Sequence, residues 1–324
     1  MSSTRNNINL VTLLTNKAIP LKASQTIEVS NVAVHSSWQD DTITYTSVWA
    51  NGQTLPLVLR SYRSPLTYWQ TQDPYKQDRV WAVLRRLRLD GFPSPRPLAK
   101  GIFGRTRYLI WHLAPGEGWY DPALGFREQA QALIPRLAEL LARLHALDHE
   151  GLNNEPLYQA TVAGTLVRML LWSREMGNEE LRHVIARLKP AVARIRSWPH
   201  KLIHGDPHPG NVQVHEGTIT ALLNWENAAI GDPRWDVMTA AHWLHRRDEE
   251  LADQFVNWYE TFTGRTITDR PFWYALISAR LWALKAWLHY AVDNRIVSSE
   301  CAAWTEDLPE VRKMALADLS NAGL

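Results

Sequence analysis

The hydrophobic period of this chain changes once, between residues 113 and 126, and that change limits what the chain can fold into. Before it, apolar residues alternate. Thr42-Ile43-Thr44-Tyr45-Thr46-Ser47-Val48-Trp49 is followed by Asn51-Gly52 and then by Leu55 to Leu59. Asn-Gly tolerates the positive φ of a tight turn, so this stretch predicts a hairpin. The whole segment Ile27 to Arg60 reads as strands, after a short apolar piece at Leu10 to Leu14 that reads as helix. Asp73-Pro74 then opens a helical pattern, with Val80, Val83, Leu84 and Leu87 at helical spacing, and Gly91-Phe92-Pro93 stops it. Two further strand-like pieces, Leu98 to Phe103 and Arg107 to Leu113, complete the order strand, strand, strand, helix, strand, strand.

After the change the chain is mostly helical. Phe126 to Leu147, Val162 to Met176, Glu179 to Ser197, Arg234 to His245, Glu249 to Thr261, Pro271 to Ala291 and Thr305 to Leu319 all carry the 3.6-residue period. Only Val212 to Val214 and Thr218 to Leu223 read as strands, a short hairpin among helices. Ala114-Pro115-Gly116-Glu117-Gly118 breaks both patterns. The expected organisation is therefore α+β in two lobes: a small antiparallel-sheet lobe with one packed helix over residues 1–113, a hinge over 114–118, and a larger, mainly helical lobe over 119–324.

Composition excludes several classes. With 35 basic against 33 acidic side chains, the net charge of +2 supplies no field that would draw the protein onto nucleic acid. Apolar runs are interrupted well before the roughly 18 to 20 residues of a membrane span, and MSSTRNNINL lacks the apolar core of a signal peptide, so the expected address is the cytoplasm. A single cysteine, Cys301, allows neither an internal disulfide nor a cysteine-based metal site. The 16 tryptophans must be either core or the wall of a binding site.

Chemistry concentrates in His204-Gly205-Asp206-Pro207-His208-Pro209-Gly210-Asn211-Val212. The segment supports three readings: a Pro/Gly surface turn; a zinc site in which His204, Asp206 and His208 alternate in extended chain; or a phosphoryl-transfer loop. The last rests on the spacing from Asp206 to Asn211, which matches that of the Asp and the metal-binding Asn in the protein-kinase catalytic loop. This loop, the following Ala221-Leu222-Leu223-Asn224-Trp225-Glu226-Asn227-Ala228-Ala229-Ile230-Gly231-Asp232-Pro233, the helix containing Leu137 to His145, and Val58-Leu59-Arg60 together resemble the aminoglycoside phosphotransferase and choline kinase family.

The resemblance implies a two-lobed protein-kinase-like fold, ATP and Mg²⁺ as cofactors, and phosphoryl transfer to a hydroxyl of a small molecule. It places Asp206 as the base on that hydroxyl, with His204 beside it in the catalytic group. Asn211 and Asn224 take the metal positions, Arg60 the phosphate-binding position of the third strand, and His112 and Ala114 the adenine-facing backbone. Asp236 matches a structural carboxylate behind the loop. Three departures from the family pattern accompany it. Asn224 stands where the second metal-binding Asp belongs, which removes a negative charge beside Mg²⁺. The phosphate-covering segment 35–42 has no glycine, leaving the hydroxyls of Ser36 and Ser37 as its phosphate contacts. The helix position that should offer Arg60 a Glu holds Val80, with Asp78 half a turn away.

Two functions from different classes follow. One is an ATP-dependent phosphotransferase acting on an amino-sugar or amino-alcohol; the other is a degenerate relative that binds nucleotide or metabolite without transfer. For the acceptor, the later helices carry Trp243, Trp258, Trp273, Trp282 and Trp287 near Asp248, Glu249, Glu250 and Glu260, and this acidic excess hints at a cationic alcohol. Sequence leaves the oligomeric state open.

Overall fold

A computed structural model describes residues 27–36, 41–49, 52–62, 75–104, 106–119, 125–152, 155, 157–297 and 299–324. The expected helix at Leu10 to Leu14 lies outside them, as do Ser37 and the Asp73-Pro74 helix start. The fold is α+β and kinase-like, with an antiparallel-sheet region followed by a helical region.

Five strands, β1 (Ile27–Ser36), β2 (Asp41–Trp49), β3 (Thr54–Tyr62), β4 (Arg96–Phe103) and β5 (Thr106–His112), form one antiparallel sheet in the order β1-β2-β3-β5-β4. Alternation assigns the two faces. Leu57 and Leu59 of β3 join Ile43, Tyr45, Ala99, Tyr108 and Ile110 in a small core on one side. Val58 and Tyr62 join the main core on the other, and Arg60, between them in the strand, shares their face. Helix α1 (Lys76–Leu89) covers this second face with Val80, Val83, Leu84 and Leu87. Gln77 of α1 fixes its angle by donating Nε2 to the carbonyls of Gly101 (2.8 Å) and Tyr108 (2.6 Å).

The helical region comprises α2 (Phe126–Ala146), α3 (Val162–Glu175), α4 (Glu179–Val192), α5 (Arg234–His245), α6 (Glu249–Thr263), α7 (Arg270–Asp293) and α8 (Leu308–Asn321). Each periodic stretch in the second half of the sequence is a helix. Two boundaries differ: α4 ends at Val192, short of Ser197, and Thr305 closes a 3₁₀ turn, so that α8 begins at Leu308 with Pro309 in its first turn. Helix α7 buries Trp273, Trp282 and Trp287 on several faces, so it runs through the middle of the lobe rather than across its surface. No helix among the described residues is long and apolar enough to cross a membrane.

Four short strands carry no sequence signal: β6 (Glu117–Gly118), β7 (Tyr158–Ala160), β8 (Lys201–Ile203) and β11 (Ala229–Gly231). They flank the expected hairpin of β9 (Val212–His215) and β10 (Thr218–Leu222), which turns at Glu216 and Gly217, both at positive φ. β6 extends this hairpin from the inter-lobe link. β11 lies between β7 and β8, so the segment after residue 224 returns beside the strand that leads into residue 204.

Burial in this helical core has a pH consequence. His242 on α5 is buried, with Arg246, His245 and Arg280 nearby, and desolvation first and these cations second push it down to about 3. A histidine held neutral in the fold takes up a proton on unfolding, so stability is full above its unfolded value near 6.5 and is lost as pH falls from there toward about 3. Urea titrations between pH 7 and 5 are expected to show stability falling with acidity, this group contributing at most about 1.4 kcal/mol per pH unit. His242→Leu should flatten that slope whatever its effect on absolute stability.

Candidate active site

The loop from β8 to β9 is held from behind by one carboxylate. Asp236, fully buried in the first turn of α5, accepts the backbone N–H groups of His204 and Gly205, each at 2.7 Å. Its Oδ2 also lies 3.2 Å from Nε2 of His145, whose Nδ1 meets the Tyr259 hydroxyl at 2.8 Å. An acceptor-only carboxylate satisfies this set when His145 carries its proton on Nε2 and Tyr259 donates to Nδ1. Burial and the Asp236 charge both raise the Tyr259 phenol above its ordinary range, which keeps that donor protonated. Gly205, at φ +85°, allows the loop to pass so close that a Cβ would stand 2.3 Å from the Asn227 carbonyl oxygen.

His204 does not face the cleft, which corrects its expected place in the catalytic group. Its ring is buried, with Nε2 2.7 Å from the Leu223 carbonyl and Nδ1 accepting the Asp206 N–H at 3.2 Å, and it packs edge-on against Trp225. Burial lowers its pKa, so the neutral tautomer with Nε2–H satisfies both contacts. His204 shapes the loop, and Asp206 is the residue the loop presents. The Asp206 carboxylate lines the cleft 3.9 Å from Nε2 of His208, while its carbonyl accepts from His208 N–H (2.9 Å) and Asn211 Nδ2 (2.8 Å). His208 lies tilted against Trp243. A zinc site does not form: His204 is turned into the core, and no group of three His, Cys, Asp or Glu suited to a metal exists among the described residues.

Arg60 enters from the sheet lobe. Its Nη1 donates to Asn224 Oδ1 at 2.5 Å, and its Nε is 3.0 Å from Glu226 Oε1 in an ion pair almost closed to solvent. The Glu missing at Val80 is thus replaced by Glu226, from the other lobe. Val80 is core, and Asp78 pairs instead with Lys100 and Arg107. Tyr62 reaches the same Glu226 oxygen at 3.4 Å, and Arg79 of α1 donates to the Glu226 carbonyl at 2.7 Å. Asn224 has left-handed backbone, φ 62° and ψ 59°, which Asn tolerates better than most residues. Its Nδ2 donates to Asn211 Oδ1 at 2.5 Å.

The two amides placed at the metal positions therefore do not fit a divalent cation in this arrangement. Both are neutral, each oxygen has already given one of its two lone pairs to a hydrogen bond, and one of those bonds comes from a guanidinium whose positive charge opposes a dication beside it. At the link between lobes, the Ala114 carbonyl accepts from Gln213 (3.1 Å), leaving one lone pair. His112 sits in register between Leu57 and Arg96 within the sheet. Ser36 ends β1, paired with Asp41.

The cleft in front of Asp206 encloses about 440 Å³. Besides its polar residues, the cleft is lined by Trp243, Leu281, Leu284, Leu288 and Trp304, with Lys285 among them. Lys285 is held by Asp307 (2.5 Å) and by the Trp304 carbonyl (2.7 Å). The acidic residues singled out in the sequence are absent from this lining. Asp248 and Glu250 pair with Arg127, and Glu260 pairs with Arg270. Sequence periodicity missed Lys285 and Trp304, because α7 is apolar on nearly every face and Trp304 lies in the turn after it.

This fold is kinase-like in architecture, with the loop of Asp206 at its cleft. The chain belongs to the phosphotransferase enzyme family, whose model matches residues 36–274. Among solved structures, macrolide 2'-phosphotransferase MphH from Brachybacterium faecium is similar at 19% identity and TM-score 0.60, covering 93% of this chain and 97% of its own. A choline/ethanolamine kinase family protein from Mesorhizobium loti aligns at 13% identity and TM-score 0.64, over 99% and 98%. Aminoglycoside phosphotransferase APH(4)-Ia, solved as a ternary complex with ADP and hygromycin B, aligns at 16% identity and TM-score 0.62, over 91% and 95%. Of curated proteins, acyl-CoA dehydrogenase family member 11 from Rattus norvegicus is 28% identical over 177 residues, 50% of this chain and 22% of that protein. This chain thus spans about a fifth of the length of the curated relatives it matches.

Because Asp236 satisfies two loop N–H groups, Asp236→Asn should turn an amide N–H toward one of them. Hydrogen bonds to charged groups contribute about 1.5–3 kcal/mol each, so a loss of about 3 kcal/mol is expected in urea unfolding. Amide exchange at His204 and Gly205 should accelerate beyond what that global loss accounts for.

Proposed function

We propose that this protein transfers a phosphoryl group from ATP to the hydroxyl of a small molecule with an apolar body, with residues 114–118 as the hinge between its lobes. The observation that carries this reading is that Asp206 lines a cleft together with Trp243, Leu281, Leu284, Leu288 and Trp304. An alcohol lying on those side chains would offer its hydroxyl to Asp206. The carboxylate accepts the proton as the oxygen attacks the terminal phosphorus, the bond to the bridging oxygen breaks, and nucleoside diphosphate leaves. Asp236 and His204 act one step behind, by fixing the loop backbone. The fixed positive charge on the donor side is Arg60.

Nothing in the lining favours a polycation. Glu226 is committed to Arg60, and Asp248, Glu250 and Glu260 are paired with Arg127 and Arg270 away from the cleft. The lining contributes two indoles and three leucines, with Lys285 already paired to Asp307, which suits an uncharged alcohol with apolar surface better than an amino-sugar. ATP as donor is supported by the family and by the ADP complex of the aminoglycoside phosphotransferase neighbour.

A second reading, nucleotide or metabolite binding without transfer, is favoured by the hydrogen-bonded closure of Asn211 on Asn224. Turnover separates the two. Nucleoside diphosphate release, measured against a panel of apolar alcohols and amino-sugars, is expected with the apolar set. Asp206→Ala should lower it by about 10²- to 10⁴-fold while leaving nucleotide binding in place. Full turnover by Asp206→Ala would remove Asp206 from the base role, and a preference for polycationic acceptors would contradict the account of the lining. Nucleotide binding without any product would establish the second reading.

A further inference from the structure

Arg60, Asn224, Asn211 and the Asp206 carbonyl form a hydrogen-bonded chain with distances of 2.5, 2.5 and 2.8 Å. Its polarity is fixed at both ends. A guanidinium has only donors, so Asn224 must turn its oxygen toward Arg60 and its NH₂ toward Asn211. A backbone carbonyl only accepts, so Asn211 must turn its NH₂ toward Asp206 and its oxygen toward Asn224. One arrangement of the two amides satisfies every link, and it aims an N–H along a lone pair of each amide oxygen. Glu226, the remaining carboxylate on this side, is engaged by Arg60 and Tyr62.

An Asp at 224 would not permit this chain. A carboxylate cannot donate to Asn211, so the Asn211 oxygen would be left without a proton and two oxygens would converge with an added negative charge, the donor set that a hard dication takes. Asn224 removes the charge and supplies the missing proton donor in one change. The Asn224 NH₂ occupies that point instead, and on the oxygen side of Asn224 stands a guanidinium, held between Asn224 and Glu226.

We infer that the donor side of this cleft works without a divalent cation: the guanidinium of Arg60, fixed by Asn224 and Glu226, supplies the positive charge in its stead, and nucleotide binds there as the metal-free anion. This rests only on the nucleotide-binding part of the function proposed above. Its neutral amides repel a bare triphosphate less than the usual carboxylate would, so a dication is not required to screen the approach.

Two measurements on the wild-type protein test the inference. Titration with Mn²⁺ alone, followed by electron paramagnetic resonance, is expected to show free ion throughout. Thermal unfolding with ATP is expected to give the same rise in midpoint in EDTA as in Mg²⁺, since a ligand of the folded state raises stability according to its own affinity. Asn224→Asp should bind Mn²⁺ and should make the ATP-induced rise depend on Mg²⁺. Stoichiometric Mn²⁺ binding by the wild type, or a rise that vanishes in EDTA, would overturn the inference and leave the proposed function standing. If ATP raises the midpoint in neither buffer, the proposed donor is wrong, and the Mn²⁺ titration still decides whether the cation position is closed.

Discussion

The contact on which the site depends is the buried pairing of Arg60 with Glu226 and Asn224. It joins the sheet lobe to the helical lobe at the place where phosphates would lie, and almost no solvent reaches it. Removing two charges from water costs several kcal/mol each, so such a pair persists only where further hydrogen bonds complete it. Here Tyr62, Arg79 and Asn224 complete it, each from a different element. Strand alternation puts Arg60 on the face of Val58 and Tyr62, which sets the guanidinium against the helical lobe rather than in the small outer core.

A second anchor sets the loop that presents Asp206, independently of the first. Asp236 gathers two loop N–H groups and His145, and β8 and β11 are paired so that residues 204 and 229 start from neighbouring strands. Both sides of the cleft are thereby built on rigid elements. Asp206 is left as the carboxylate presented by the loop, in a cleft that indoles and leucines also line. The protein's charge is organised elsewhere: Arg127, Arg270 and Arg312 clip α6 and neighbouring helices together on the outside. Asp248, Glu250 and Glu260 of the local acidic excess are thus spent on arginines, and none of them lines the cleft of Asp206.

Much of this was legible in the sequence, for physical reasons that also mark the limit. Seven amphipathic or apolar periods in the second half became helices, and the dense cluster from His204 to Asn211 could not be explained by packing alone. Arg60 was readable from its strand, but its partner was not, because Glu226 lies far away in sequence and replaces a helix position that has become core at Val80. Strands of two or three residues, such as β6 and β11, carry no period to detect. His204 looked catalytic because residue type does not show which way a ring turns; only the Leu223 carbonyl and the Trp225 face reveal that it points inward. Lys285 was hidden in a helix whose apolar residues cover every side.

The central claim is that Arg60 and Asn224 act as one unit at the donor side of the cleft. A double-mutant cycle of Arg60→Met and Asn224→Ala, read as unfolding free energy in urea, measures this directly. Residues sharing one hydrogen-bond network couple by about 0.5–3 kcal/mol, whereas independent sites add to within about 0.3–0.5 kcal/mol. The account predicts coupling of at least about 1 kcal/mol, with the double variant losing less than the sum of the two single ones. Additive losses would mean that the guanidinium and the amide stand side by side without depending on each other, and the unit described here would not exist.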